Sequence, residues 1–600
     1  MTKLRIALAQ VNATVGDLDG NAELIVEWTR RAAAAGARVV VFPEMMLTGY
    51  PVEDLALRAS FVDASIAALD RTAARLGEAG LGEIAVVVGY LDRKAGLRPR
   101  VGLPTGAPLD AAAVLFGGKV VLKSAKHHLP NYGVFDEFRY FVPGDVLPVF
   151  RLIADSGEPV DIAVAVCEDL WQDGGPVSVT RQAGAGLLVV PNASPYECGK
   201  GTERVELCLR RSSEAGAALV YVNLVGGQDE LVFDGDSIVV DAAGAVMARG
   251  PQFEEALVVV DLELRAADAG LPDGDSAADA CDGTTMTIRR LTLTAGPVRR
   301  ASQAARTEVR ALWPRLDDLA EVYGALVLGT RDYVTKNGFT SAILALSGGI
   351  DSALTATIAA DAIGADRVHV VLMPSKYSSS HSITDAEDLV KRQGLQARTI
   401  PIASVVAAFE CDLHLSGMAE ENLQARARGM ILMSLSNAEG HLVLTTGNKS
   451  ELATGYSTLY GDSAGGFAPI KDVLKTLVWD LSRWRNQQAS LTGKYAPIPE
   501  NSISKPPSAE LRPGQLDTDS LPDYAVLDAL LDDYVEKDLG AAELTAAGHD
   551  PVLVERVIGL VDRAEYKRRQ YPPGPKITAK NFGRDRRLPI TNRWHEPFAG

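Results

Sequence analysis

The chain has 600 residues, 47% of them hydrophobic, and its 77 acidic and 60 basic side chains give a net charge of -17. That length exceeds what one hydrophobic core organises, so two or more domains are expected, and the acidic balance opposes general nucleic-acid binding. Five cysteines, an odd and widely spaced set without a Cys-x-x-Cys pair, argue against a disulfide framework or a structural zinc site. No apolar run reaches the ~18 residues of a membrane span and the first residues lead straight into a strand, so neither membrane contact nor a signal sequence is expected. The expected location is the cytoplasm.

Residues 1–270 alternate β-rich apolar runs (4–9, 39–42, 84–89, 162–166 and 187–190) with alanine-rich helical stretches. This pattern predicts an α/β layered domain. Polar residues stand at the ends of three strands: Glu44 after Val-Val-Val-Phe-Pro, Lys126 in Leu-Lys-Ser-Ala-Lys-His-His-Leu-Pro, and Cys167 after Ile-Ala-Val-Ala-Val. Sites are built on loops at strand ends, and a cysteine there is a candidate nucleophile if a base and a cation converge on it. Glu44 and Lys126 supply both. His127 and His128 are adjacent and so point in different directions; with no further ligand at a suitable spacing, packing or solvent contact is expected for them.

These three positions resemble the Glu-Lys-Cys triad of the carbon-nitrogen hydrolase family, the nitrilase superfamily. The resemblance implies a four-layer α-β-β-α sandwich. It also implies that Cys167 attacks the side-chain amide of glutamine, that Glu44 moves the protons, and that Lys126 stabilises the oxyanion. Lys123 competes for the lysine role, and the family pattern, which places the lysine just before a His-Leu-Pro-like segment, selects Lys126. By the same resemblance Tyr132, Ser194 and Lys200 match glutamine-binding positions, while the part played by Glu137 stays open.

Residues 271–305 are read as a linker, because Asp, Gly, Ala and Ser dominate 268–282 and no long apolar run appears. Cys281 falls within it and is expected to be a free surface thiol. Residues 306–600 form the second domain.

In that second domain an apolar strand at 343–346 and an alanine-rich helix at 352–363 flank Leu346, Ser347, Gly348, Gly349, Ile350, Asp351 and Ser352. The glycines let the turn approach a ligand closely, and hydroxyls and helix N-terminal amides face an anion. The Gly-x-x-x-x-Gly-Lys spacing of a Walker loop is absent. A second strand, 442–444, runs into Thr445-Thr446-Gly447-Asn448-Lys449-Ser450-Glu451, and two strand-turn-helix units predict one nucleotide crevice. Asp351 and Glu451 could hold the magnesium of a triphosphate.

The Ser347–Ser352 turn resembles the pyrophosphate loop of enzymes that split ATP into AMP and pyrophosphate. With Glu-Asn-Leu-Gln-Ala-Arg at 421–426, Gly-Tyr-Ser-Thr-Leu-Tyr-Gly-Asp at 455–462 and Lys-Pro-Pro-Ser-Ala-Glu-Leu at 505–511, residues 306–600 resemble NAD synthetases. This resemblance implies a doubly wound, Rossmann-like parallel-sheet domain. Its ATP contacts would be the 346–352 loop and Thr446, and its deamido-NAD contacts Asn422, Glu451 and Lys567. The roles of Arg426, Lys471 and Lys475 stay open. Leu459 stands where ammonia-only members often carry lysine, which favours the glutamine-dependent branch. An asparagine- or guanylate-type synthetase would share the loop, but the 421–426 and 505–510 segments favour NAD.

The two halves together imply a ligase that adenylylates the nicotinate carboxylate of deamido-NAD and amidates it with ammonia released from glutamine and passed between the sites. AMP, pyrophosphate and glutamate would leave. Mg2+ accompanies ATP, and a homo-oligomer, with an octamer favoured, is implied.

Overall fold

The computed structural model describes residues 2–97, 102–154, 157–294 and 312–597. The chain divides into two compact units, the first comprising Met1–Gln228 and Phe233–Leu316, the second Asp229–Val232 and Asp317–Gly600.

The first unit is built on two large sheets. One has six strands in the order Ala256–Leu264, Thr2–Gln10, Val39–Val41, Ala85–Arg93, Pro108–Phe116 and Lys119–Ala125. The other has eight, in the order Val246–Arg249, Ile238–Val240, Ala218–Asn223, Leu187–Asn192, Pro159–Val164, Val146–Ile153, Thr285–Thr292 and Gly274–Asp279. Side chains alternate across each strand, so Leu187 and Val189 enter a core shared with Ile6, Leu8, Val39 and Val41 of the other sheet. Leu188 and Val190 pack instead with Val177, Val179 and Leu207. These last belong to helices Gly175–Ala183 and Lys200–Ala215, while Leu18–Ala34 and Ala59–Glu78 contact the six-stranded sheet. The result is the expected α-β-β-α sandwich. Because both faces of the central strands are covered, their sequences read as unbroken apolar runs.

The expected linker differs from what is observed. Gly274–Asp279 pairs antiparallel with Thr285–Thr292, which pairs parallel with Val146–Ile153 through Thr287↔Val146. The first of these strands is an edge, exposed at five of its six residues, and therefore carries no apolar pattern. Thr285–Thr292 alternates, turning Met286, Ile288 and Arg290 inward, and the Arg290 guanidinium meets Asp161 at 3.2 Å. The remainder of the expected linker, 295–305, and the start of the second domain at 306 lie outside the described residues.

The second unit contains a four-stranded parallel sheet, ordered Gln396–Thr399, Val368–Leu372, Ala342–Ala345 and Leu442–Val443. Strand order reverses at Ala342–Ala345: the next strand in sequence lies on one side and the last on the other. Such a reversal opens a crevice at the carboxyl ends of the strands, where α/β sheets bind ligands. Ile343, Val371 and Val443 pack against Leu423, Ala427 and Leu432 of helix Met418–Glu439, and helix Ile350–Ile363 also lies against the sheet. A separate core joins Leu452 and Ala453 of helix Lys449–Thr454 to helices Tyr524–Leu531 and Pro551–Arg563.

Candidate active sites

In the first unit the structure brings Glu44, Lys126 and Cys167 together at the ends of strands from both sheets. Lys126 is buried, and its Nζ donates to Glu44 Oε1 at 2.8 Å, to Glu137 Oε1 at 2.9 Å and to Asp110 Oδ2 at 3.3 Å. Lys123, three residues earlier, points elsewhere: its ammonium reaches Asp92 at 3.0 Å and is half exposed. Cys167 opens a short 3-10 turn with a φ of 42°, a conformation rare for a side chain larger than glycine and one that aims the thiol back into the site. Asp169 fixes this turn to the lysine strand, accepting from the amides of Val166 at 2.9 Å, His127 at 3.0 Å and His128 at 2.9 Å.

Four buried ionisable groups in one pocket must settle their protons among themselves. Burial alone would discharge Lys126, but Glu137, Glu44 and Asp110 outweigh it and hold the ammonium well above its ordinary range. Burial also penalises the Glu44 carboxylate, yet Lys126 and hydrogen bonds from Asp110, Lys126 and Cys167 bring it below its usual value. Burial, reinforced by the Glu44 charge, pushes Asp110 well up, and its buried Oδ1 finds no donor among the described residues. A proton on Asp110 resolves both facts. Burial and the Glu44 charge likewise raise the Cys167 thiol, so the resting pair is a neutral thiol beside an ionised Glu44.

Glu44 Oε2 also accepts from the Ala193 amide at 2.7 Å, which ties this carboxylate to the segment carrying Ser194. Ser194 is buried; its amide donates to Asn223 Oδ1 at 2.9 Å, and Arg204 donates to its carbonyl at 3.0 Å while pairing with Asp234 at 2.7 Å. Tyr132 is 55% exposed, with its hydroxyl donating to Glu168 at 3.0 Å. Lys200 begins helix Lys200–Ala215, its Nζ 5.6 Å from the Trp171 ring centre. Asp110 and Tyr50, which donates to Glu137 at 3.0 Å, were missed from sequence. Asp110 had left a signal: it is the lone charge in the otherwise apolar Pro108–Phe116 strand.

In the second unit the 346–352 loop follows Ala342–Ala345 at the reversal point. Gly348 has φ 81°, and a Cβ there would lie 2.1 Å from the Ser382 carbonyl, so only glycine fits. Ser347 and Ser352 hydroxyls meet at 3.0 Å, and the Gly349 amide donates to Ser347 Oγ at 3.2 Å. Asn448 caps helix Lys449–Thr454, accepting from the Glu451 amide at 3.0 Å, and donates to Asp351 Oδ1 at 2.9 Å. The two strand-turn-helix units therefore meet. Lys475 pairs with Asp351 and lies 3.8 Å from Glu451 Oε1. Burial and the Asp351 charge raise Glu451 well above its usual range. Thr446 sits half-buried in the loop after Leu442–Val443.

The remaining candidates gather on the 455–462 loop. Lys567 Nζ donates to the carbonyls of Gly455 at 2.8 Å and Ser457 at 2.7 Å, Asn422 accepts from Thr458 Oγ1 at 2.8 Å, and Arg426 donates to the Leu459 carbonyl at 3.2 Å. Arg426 also lines a cavity of about 510 Å3 with Met430, Leu459, Tyr460 and Gln570. Lys471 is buried, which lowers it against the pull of Glu230 and Asp472.

A buried acid-base-thiol cluster in a four-layer sandwich defines the first unit as a carbon-nitrogen hydrolase, and the family of that description matches residues 5–269. The family described as NAD synthase matches residues 322–571. The chain belongs to the family of glutamine-dependent NAD(+) synthetases. It is 43% identical over 611 residues to the Thermotoga maritima member, covering 100% of both chains, and 41% identical over 600 residues to that of Acinetobacter baylyi, covering 99% of both. The solved structure of the glutamine-dependent NAD+ synthetase from Acinetobacter baumannii, in complex with ADP, matches with TM-score 0.70 at 38% identity over 100% of both chains. One from Cytophaga hutchinsonii shares the fold, with TM-score 0.74 at 21% identity over 98% of both chains.

Proposed function

We propose that this protein converts deamido-NAD to NAD with ATP and glutamine, releasing AMP, pyrophosphate and glutamate. One observation carries the reading: a single chain, alike in full length to glutamine-dependent NAD(+) synthetases, contains both the Glu44–Lys126–Cys167 cluster and the Asp351–Lys475–Glu451 cluster at a nucleotide crevice.

In the first unit Glu44 takes the Cys167 proton as Sγ attacks the glutamine amide carbon. The oxyanion develops beside Lys126, and protonated Glu44 then delivers its proton to the departing ammonia. Glu44 next draws a proton from water, which attacks the thioester and frees glutamate. Tyr132, Ser194 and Lys200 would hold the glutamine.

In the second unit Leu346 to Ser352 and Thr446 would seat ATP, with the loop amides and hydroxyls facing the departing pyrophosphate. Adenylylation gives the carboxylate a leaving group, and ammonia displaces AMP. Asn422, Glu451 and Lys567 would hold deamido-NAD, and Lys475 balances the acidic pair. Asp351 and Glu451 fit a magnesium ion: both offer hard oxygen donors and they converge on one ammonium. When bound, that ion would neutralise triphosphate charge. The glutaminase residues are taken to fall within 1–270 and the synthetase residues within 306–600, and assembly as a homo-oligomer, with an octamer favoured, is measurable by light scattering.

Cys167→Ala tests the division of labour. Glutamine-driven NAD formation should vanish while ammonium-driven formation persists, and the unsubstituted protein should form close to one glutamate per NAD. Equal loss of both activities would overturn the reading.

A further inference from the structure

His127 and His128 do not point apart as their adjacency suggested. Both rings turn their Nε2 atoms to one oxygen of Asp282, 155 residues further on, at 2.9 Å for His127 and 3.4 Å for His128. The rings stand edge to face with centres 4.7 Å apart. None of the three takes part in the glutamine chemistry, although the pair directly follows Lys126.

The hydrogen bonds around the cluster decide what belongs in it. His127 Nδ1 lies 2.7 Å from the Gly144 carbonyl, which only accepts, so Nδ1 carries a proton. Nε2 of the same ring faces a carboxylate oxygen at 2.9 Å, so a cation, either a proton or a metal ion, lies between them. The far oxygen of Asp282 is held by the Thr284 amide at 2.8 Å and hydroxyl at 2.6 Å. Two of the three side chains thus have outer partners that fix orientation, as ligands of a metal ion do. Gly175 closes the cradle: a Cβ there would lie 2.4 Å from His128 Cε1 and 3.1 Å from His127 Cδ2.

We propose that His127 Nε2, His128 Nε2 and Asp282 Oδ2 bind one zinc-class divalent ion. The three donors lie within 4.8 Å of one another, and tetrahedral zinc with bonds of ~2.0 Å places its donors about 3.3 Å apart. Two imidazoles and a carboxylate select zinc or cobalt over magnesium or calcium, which prefer all-oxygen sites. Asp282 sits between strands Gly274–Asp279 and Thr285–Thr292, so the ion staples that edge hairpin to the residues following Lys126. Cys281, the neighbouring thiol, faces the Asp279 carbonyl at 3.8 Å and is not among the donors.

Cobalt(II) added to tag-free, metal-stripped protein tests this. One ion per chain should bind with the intense visible absorption of tetrahedral cobalt, and zinc should displace it. Asp282→Asn and His128→Asn should each weaken binding by at least about 100-fold, whereas Cys281→Ser and Cys167→Ala should retain the absorption. Zinc should also slow amide exchange over 280–284. Circular dichroism of the metal-free variants, unchanged from the parent, separates ligand loss from misfolding. No tetrahedral absorption, meaning that only a proton lies between His127 and Asp282, would overturn the proposal, as would absorption that survives both ligand substitutions.

Discussion

Lys126 is the residue on which the first site turns, because a buried ammonium with three carboxylate neighbours sets the protonation of each. Removing it would strand buried charge at a cost of about 3–5 kcal/mol, so its loss mixes folding with catalysis. Its neighbours give cleaner readings. Burial, opposed by Lys126, pushes Glu137 up to about 7. Above that pH ionised Glu137 shares the ammonium; below it the ammonium falls to Glu44, which loses basicity toward the thiol. The kcat/KM for glutamine hydrolysis should therefore fall as pH drops through about 7, and Glu137→Gln should hold the low value without that limb. A limb persisting in the variant would assign it to another group. Asp110, already protonated, is mimicked by an amide: Asp110→Asn should keep activity within about tenfold, or about 1.4 kcal/mol, whereas Glu44→Gln should lose at least ~10^3-fold. Steady-state glutaminase assays of the two variants check this.

At the level of elements, chemistry sits where a strand hands over to a turn, and the turn's backbone does the placing. Gly348→Ala combines a left-handed φ with a Cβ 2.1 Å from the Ser382 carbonyl. It should cut ammonium-driven NAD synthesis at least about tenfold while basal glutaminase activity persists; loss of both would mean a wider folding defect. Such turns were legible in the sequence because strands buried on both faces give continuous apolar runs, and a polar residue at the end of one stands out. Thus Glu44, Cys167 and the 346–352 loop could be read directly. Asp169, Asn223 and the Arg204–Asp234 pair could not, since each acts through a partner brought near only by folding: Asp169 on amides 41 and 42 residues away, Arg204 on a carboxylate 30 away.

Across the whole molecule, the two-part organisation was legible because each half carries its own motif in its own fold. The boundary was not. An edge strand has one paired side and little to bury, so Gly274–Asp279 looks like tether while serving as the last strand of an eight-stranded sheet. For the histidines, too, the sequence pattern lacked the third ligand, which lies beyond that strand. The acidic residues that disguised the strand have a protective consequence. Asp275 and Asp279 give the sheet a charged, poorly adhesive margin. A fragment ending at residue 270 would lose that margin and bare the hydrogen-bonding edge of Val146–Ile153, whose Leu147, Val149 and Phe150 are wholly buried in the intact chain. It should self-associate in size-exclusion chromatography where one ending at 294 does not.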